Sequence, residues 1–451
     1  MFTGTFLEKA AIRLGYYSDK YFMRTQEILL KDNKNDIMEY QFFPRKDCIL
    51  SGMTHVFSFL YDCIGYYSDY NKAKTIFSDI MINLREINMV NYFENFLKMK
   101  NLYEELDELW IQKTEEVEVY FLPKEGFDIK DKEIILGFIG NPAYFAHLET
   151  PILGCLSQGS AVATSVNRIK KILDSDKNRK HEIFFFPARF RYHGSQCIDG
   201  TSAITGGVKS FSTDANGSLF NIEGMGTIPH LLIGSYNGNT YEAYKAFDNN
   251  IDPSVNRIVL VDWDNDCIET TLEIIYNELS DIVENKKNIY LYELSCIENY
   301  NYIISNKTKL EHFQFQCPEF YDNYIDSLIG EGKNKLYGVR FDTSGNLWDN
   351  SVNKIIGNTG VSPELVFKAR EIFDSLGLKN LKIIISGGFT EERIKNFINL
   401  GVPFDDVGIG SSIVNNFNVD FTADGVMLNG KPCAKIGRKK GDWSKLTKMY
   451  W

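Results

Sequence analysis

KIIISGGFTEERI, residues 382–394, is the stretch on which the reading of this chain turns. Three β-branched residues, Ile383, Ile384 and Ile385, read as a short buried strand. Ser386, Gly387 and Gly388 end it, and Thr390, Glu391 and Glu392 have the composition of a helix's first turn. A strand that passes through two glycines into a helix start marks a candidate anion site. Glycine lets the backbone come close, and the first helical N–H groups have no partner of their own. A tight turn with no ligand is the plain alternative. A second such turn follows in DDVGIGSSIV (405–414), where Gly408 and Gly410 precede Ser411 and Ser412. In a barrel the last two strands are neighbours, so both turns would open on one point as a phosphate cradle. Glu391 and Glu392 are compatible with this only if their carboxylates turn away from the anion.

The surrounding chain repeats the rhythm. EIFFFPA (182–188), RIVLVDWD (257–264) and YGVRFDT (337–343) are apolar runs, each followed by a helical pattern. Such repeats imply parallel strands, in an open doubly wound sheet or a closed α/β barrel. The barrel is favoured because chemistry-bearing residues sit just after several different strands, as at a barrel's C-terminal rim. The expected fold is α/β, an irregular barrel of parallel strands over residues 148–415. Residues 1–147 mix helices and strands and form an additional α+β domain. Segment 416–451, with a hairpin pattern around Asn429, Gly430 and Lys431, is expected to leave the barrel and pack back on that domain.

With 451 residues the chain exceeds one small core, and 24% charged with 44% hydrophobic residues is an ordinary globular composition. A net charge of −11 argues against nucleic-acid binding, so an anionic substrate needs a local basic pocket. The opening MFTGTFLEKAAIRLGYYSDKYF lacks the charge-then-apolar pattern of a signal peptide. No run approaches the roughly 18 apolar residues of a membrane span. Eight scattered cysteines with no C-x-x-C pair make a zinc ribbon or a disulfide scaffold unexpected and suit a reducing, cytoplasmic location.

Cations appear where an anion would need them. FFFPARFRYH (184–193) offers Arg189, Arg191 and His193 after a strand, and arginine forks suit phosphate and carboxylate oxygens; a solvated basic face is the alternative. In YGVRFDT, Arg340 and Asp342 alternate with Val339 and Phe341 and so share a face, as site residues or as a structural ion pair. Asp262 and Asp264 form a similar pair after the preceding strand, with Asp262 the inward one. His230 in GTIPHLL is one of six histidines and beside an apolar run is by default structural.

In order along the chain, YSDKYFMRT, LETPILGCLSQGSAVATSVNRIKK, GTIPHLLIGSYNGNTYEAYKAFD, YGVRFDTSGN, ISGGFTEERI with DDVGIGSS, and VDFTADGVMLNGKPCAKIGRKKG resemble motifs of the nicotinate phosphoribosyltransferase family. The resemblance spans about residues 15 to 445 and is weakest over 63–113. It implies that nicotinate displaces pyrophosphate from 5-phosphoribosyl-1-pyrophosphate (PRPP), giving nicotinate mononucleotide for NAD synthesis. It places the 5′-phosphate on Ser386, Gly387, Gly388, Gly408, Gly410 and Ser411, and Phe186 against the pyridine ring with Arg189 as the substrate arginine. Arg191 joins the cationic group, Asp342 is expected to hold ribose hydroxyls or a magnesium-bound water, and Arg340 and Asp262 are expected to act with it as catalytic residues. Magnesium arrives on the PRPP pyrophosphate near Asp342 rather than on direct protein ligands. His230 matches a histidine phosphorylated in relatives that couple ATP hydrolysis to turnover. Tyr21 matches an aromatic supplied by a partner subunit, which implies a homodimer with shared sites. Asp199 is expected to reach the pyridine substituent, which keeps nicotinamide as an alternative substrate. A different barrel enzyme, or a non-catalytic binder of a phosphorylated small molecule, are the other classes; the family commonly has threonine where Trp263 stands.

Overall fold

The structure, a computed structural model, describes residues 2–86, 91–285, 305–316, 318–355, 357–415 and 419–451. It divides into two compact units, Met1–Thr164 with Asn416–Trp451, and Ser165–Asn415.

The first unit is built on a six-stranded antiparallel sheet. Its order is Lys431–Pro432, Phe421–Leu428, Met38–Pro44, Leu136–Gly140, Glu118–Phe121, Thr447–Lys448. The C-terminal segment thus supplies both edges and one inner strand. Phe42, Val119, Leu136 and Phe138 bury one side against Met53, Val56 and Leu60, which recur on one face of the helix Met53–Cys63. Gln41 anchors the tail: its amide donates to the Lys439 carbonyl (3.0 Å) and accepts the Gly441 N–H (2.9 Å). Beside it, Gly137 leaves the space filled by the Trp443 indole, which a Cβ would approach to 2.4 Å.

The second unit carries six parallel strands: β1 (Ile183–Phe185), β2 (Ser210–Phe211), β3 (Ile258–Leu260), β4 (Gly338–Phe341), β5 (Lys382–Ile385) and β6 (Asp406–Ile409). Their order in the sheet is β3-β4-β5-β6-β1-β2. The last strand therefore pairs with the first, Val407 opposite Ile183, which is the cyclic order of a barrel and not that of an open doubly wound sheet. The sheet curls into an incomplete barrel whose seam lies between β2 and β3. Residues 225–228 bridge that seam: Met225 N–H donates to Phe211 (2.7 Å) and Ile228 N–H to Ile258 (3.0 Å). Phe184, Ile258 and Ile384 meet inside, one from each of the alternate strands β1, β3 and β5, as barrel layers require.

Local chemistry sets the helix starts that follow the strands. Ser362 caps the helix Pro363–Ser375 by accepting the Leu365 N–H, and Thr390 caps Glu391–Asn399 by accepting the Arg393 N–H. The six described cysteines are free, and Cys296 and Cys317 lie outside the described residues. No described helix is long and apolar enough to cross a membrane.

Asp406, in β6, accepts the Glu182 N–H at 2.9 Å, yet burial pushes its carboxyl up to about 6, with Asp405 adding to the effect. Its folded pKa lies above the unfolded value, so ionising it opposes folding. The penalty is absent below about pH 4, grows as pH rises through about 4 to 6, and is full at pH 7. Asp406→Asn is therefore expected to gain stability over the parent between pH 4 and pH 7, by at most about 3 kcal/mol. Denaturant midpoints of both proteins at the two pH values measure this; equal differences would remove burial as the cause.

Candidate active site

At the C-terminal ends of β5 and β6 the chain leaves a row of backbone donors unused. The N–H groups of Gly387, Gly388 and Phe389 after β5, and of Gly410 and Ser411 after β6, have no acceptor among the described residues. Gly387 (φ +89°) and Gly388 (φ +70°) hold left-handed backbone that side chains rarely adopt. The Ser412 hydroxyl donates to the Phe389 carbonyl at 2.7 Å and ties the two turns together. The missing side chains of Gly408 and Gly410 also matter for packing. A Cβ on Gly408 would lie 2.9 Å from the Phe186 ring, and one on Gly410 would lie 2.2 Å from the Phe186 carbonyl oxygen. These glycines let Phe186, just past β1, lie against β6.

The turns open into a cavity of about 530 Å³. Phe186, Arg189, His230, Arg340, Asp342, Ser386, Gly387, Gly388, Gly408, Gly410 and Ser411 line it, all from the second unit. The loop after β2 and the seam add Ser212, Thr213, Met225, Gly226 and Thr227. Arg340 is largely buried, its Nε has no hydrogen-bond partner among the described residues, and its guanidinium lies 5.9 Å from the centre of the Phe186 ring. Its nearest carboxylate oxygen, on Asp342, is 3.9 Å away. Burial lowers its pKa against the opposing pull of Asp342 and Asp262, and it stays a cation. A buried arginine so weakly neutralised favours an incoming anion. Asp342 is fixed by the Ser386 hydroxyl, which donates to its Oδ1 at 2.8 Å.

His230 begins the short helix His230–Ser235 and is half exposed. Its Nε2 lies 3.2 Å from Oδ1 of the nearly buried Asp262, although that oxygen makes no hydrogen bond among the described residues. Burial raises the Asp262 pKa, His230 opposes the rise and the Asp342 charge adds to it. Asp262 thus stands behind His230 and within electrostatic reach of Asp342 and Arg340.

The structure does not bring Arg191 and Asp199 into the cavity. Asp199 is fully buried in the helix Gln196–Gly206, 3.4 Å from Arg191 Nε, and Arg191 also donates to the Val414 carbonyl. Asp199 and Arg191 form a pair that binds the start of this helix to the segment after β6. Tyr21 belongs to the first unit, is exposed, and donates to Asp19 at 3.0 Å. The sequence singled out none of residues 225–228 as site residues, although Gly226, Thr227 and Ile228 open the GTIPHLL stretch. It also left open how Glu391 avoids an anion. Glu391 pairs with Arg168 at 3.0 Å, Glu392 is exposed, and neither lines the cavity.

No protein-family model matches the sequence. Among solved structures, the chain is similar to a nicotinate-nucleotide pyrophosphorylase from Pyrococcus furiosus. Identity is 21%, the alignment covers 96% of this chain and 80% of that one, and the TM-score is 0.59. It is also similar to human nicotinic acid phosphoribosyltransferase, with 17% identity, 94% and 77% coverage and a TM-score of 0.54. At these identities the likeness establishes a shared fold.

Two outcomes follow from this geometry. Gly408→Ala is expected to cost about 1–3 kcal/mol by overpacking against Phe186, and much less when Phe186→Ala is already present. A double-mutant cycle on denaturant midpoints reads the coupling, and additive costs would exclude the Phe186 clash. Arg168→Gln frees the Glu391 carboxylate and should weaken inorganic phosphate binding about two- to fivefold, as expected for a partly exposed pair. Arg168→Gln/Glu391→Gln should restore it in calorimetric titration; a double variant as weak as the single one would refute electrostatic repulsion.

Proposed function

We propose that the protein is a phosphoribosyltransferase that makes nicotinate mononucleotide and pyrophosphate from nicotinate and PRPP. The observation that carries this is the convergence of two unpaired backbone donor sets with Arg189, Arg340, Asp342 and Phe186 on one cavity. A sugar phosphate activated by pyrophosphate presents two anionic ends and a carbon that turns cationic between them, and the cavity offers a complementary group for each.

The 5′-phosphate takes the N–H groups of Gly387, Gly388, Phe389, Gly410 and Ser411. Arg340 and Arg189 face the pyrophosphate, whose bond to the anomeric carbon breaks as the pyridine nitrogen lone pair forms the new one. Both electrons of the broken bond leave with pyrophosphate. Asp342, with Asp262 behind it, stabilises the positive charge that builds on the sugar, so positioning and electrostatics carry the rate. Magnesium is read as part of the substrate. Asp342 Oδ2, 3.9 Å from Arg340 and with no hydrogen-bond donor among the described residues, suits a water on a pyrophosphate-borne cation. Phe186 supplies an aromatic face for the pyridine.

The burial of Asp199 against Arg191 supports nicotinate over nicotinamide, because the carboxylate that would favour an amide is engaged elsewhere. His230, half exposed on the cavity with the Asp262 carboxylate 3.2 Å from its Nε2, is proposed as the phosphoryl acceptor through which ATP hydrolysis is coupled to turnover. Tyr21, exposed on the first unit, is proposed to complete the site of a second copy in a homodimer.

Pyrophosphate release from PRPP with nicotinate, nicotinamide or quinolinate tests the reading directly. Release with nicotinate alone is expected, release with quinolinate alone would reassign the substrate, and release with none would refute the activity. In the same assay His230→Ala should make the rates with and without ATP equal, whereas an undiminished ATP effect would exclude His230.

A further inference from the structure

Arg393 lies in the first turn of the helix Glu391–Asn399, and its side chain folds back on the turn that precedes that helix. Nη1 donates to the Gly387 carbonyl at 2.9 Å and Nη2 to the Val361 carbonyl at 2.7 Å. The guanidinium carbon sits 4.1 Å from the centre of the Phe389 ring. One planar cation therefore joins the turn after β5, the end of the loop after β4, and the aromatic that follows the glycines. Arg393 itself does not line the cavity.

Covalent geometry makes this clamp directional. The described peptide bonds are trans, so the N–H of Gly388 points opposite to the carbonyl of Gly387. With that carbonyl drawn to Arg393, the Gly388 N–H is turned to the other side. Gly388 lines the cavity, and its N–H has no acceptor among the described residues. Left to themselves, two consecutive glycines reach either sign of φ at little cost, and the peptide between them can turn over. A reversed peptide would present a carbonyl oxygen, the wrong end of the dipole, to a phosphate.

We infer that Arg393 is the positioning residue of the anion site: by holding the Gly387 carbonyl it keeps the Gly388 N–H presented to the substrate's terminal phosphate. The inference rests on the reading of these turns as a phosphate cradle. Arg393 acts through the peptide and does not touch the ligand, so its loss should weaken recognition of the phosphate group and leave the sugar and base contacts in place. A fork that satisfies two carbonyls at once also explains why this position takes arginine rather than lysine.

The test titrates ribose 5-phosphate and unphosphorylated ribose into the full chain and into Arg393→Gln and Arg393→Lys, and measures KM for PRPP and for nicotinate. The parent should bind ribose 5-phosphate and show far weaker binding of ribose. Arg393→Gln should weaken ribose 5-phosphate about tenfold, the scale of one hydrogen bond to a charged group. It should raise KM for PRPP by a similar factor, with a much smaller change in KM for nicotinate. Arg393→Lys, which keeps the charge but can hold only one of the two carbonyls, should fall between. A parent that binds no ribose 5-phosphate would overturn the cradle itself. A parent that binds it while both variants match the parent, even if less heat-stable, would overturn the role of Arg393 alone. Should Arg393→Gln fail to fold, Arg393→Lys decides: weakened binding supports the role, and parental affinity overturns it.

Discussion

The pairing of the last strand with the first is the constraint on which the site depends. Val407, Gly408 and Ile409 lie opposite Ile183, Phe184 and Phe185, and β6 on its other edge pairs with β5. Three loops distant in sequence are thereby stacked side by side: the glycine turn after β5, the glycine turn after β6, and the Phe186–Arg189 segment after β1. Phe186 N–H donates to the Ile409 carbonyl at 2.7 Å, so the ladder continues one residue into the site. The absence of side chains at Gly408 and Gly410 is what lets that third loop lie so close. In an open sheet β1 and β6 need not be neighbours, and the two halves of the cavity would have no reason to face each other.

Electrostatics completes what the backbone starts. In a chain of net charge −11, an anion is attracted only where positive potential is concentrated. Arg340 and Arg189 supply full charges, and the N–H groups at two chain turns supply partial ones. Arg340 shares its surroundings with Asp342 and Asp262, and no contact neutralises it at close range. The acidic residues nearest the cradle are managed individually: Glu391 is drawn off by Arg168, Glu392 faces solvent, and Asp342 is held by Ser386.

Much of this was readable from residue order. Three isoleucines in a row and a diglycine announced β5 and its turn, and the repeat in DDVGIGSS announced β6. Arg340, in β4, and Asp342, just past its end, both reach the cavity. Proximity in sequence to an arginine cluster does not say which way Asp199 faces. Its position in Gln196–Gly206 is turned inward, and there it needs a cation, which Arg191 provides. Arg393 is legible as part of a helix start, but its contact with Val361, 32 residues earlier, exists only once β4 and β5 are side by side.

The sequence by itself determined the local alphabet: strands that end in glycine, helices opened by Ser362 and Thr390, and cations and carboxylates placed just beyond strand ends. Those features depend on backbone sterics and on neighbours a few residues away, which composition and spacing encode directly. Tertiary structure decided which donors stay unpaired, which ion pairs form and which residues share the cavity. Those outcomes depend on the cyclic strand order, the bridged seam at 225–228 and the space left by individual glycines. Through-space distances of 3 to 4 Å between residues far apart in the chain are set by packing, and no local pattern carries them.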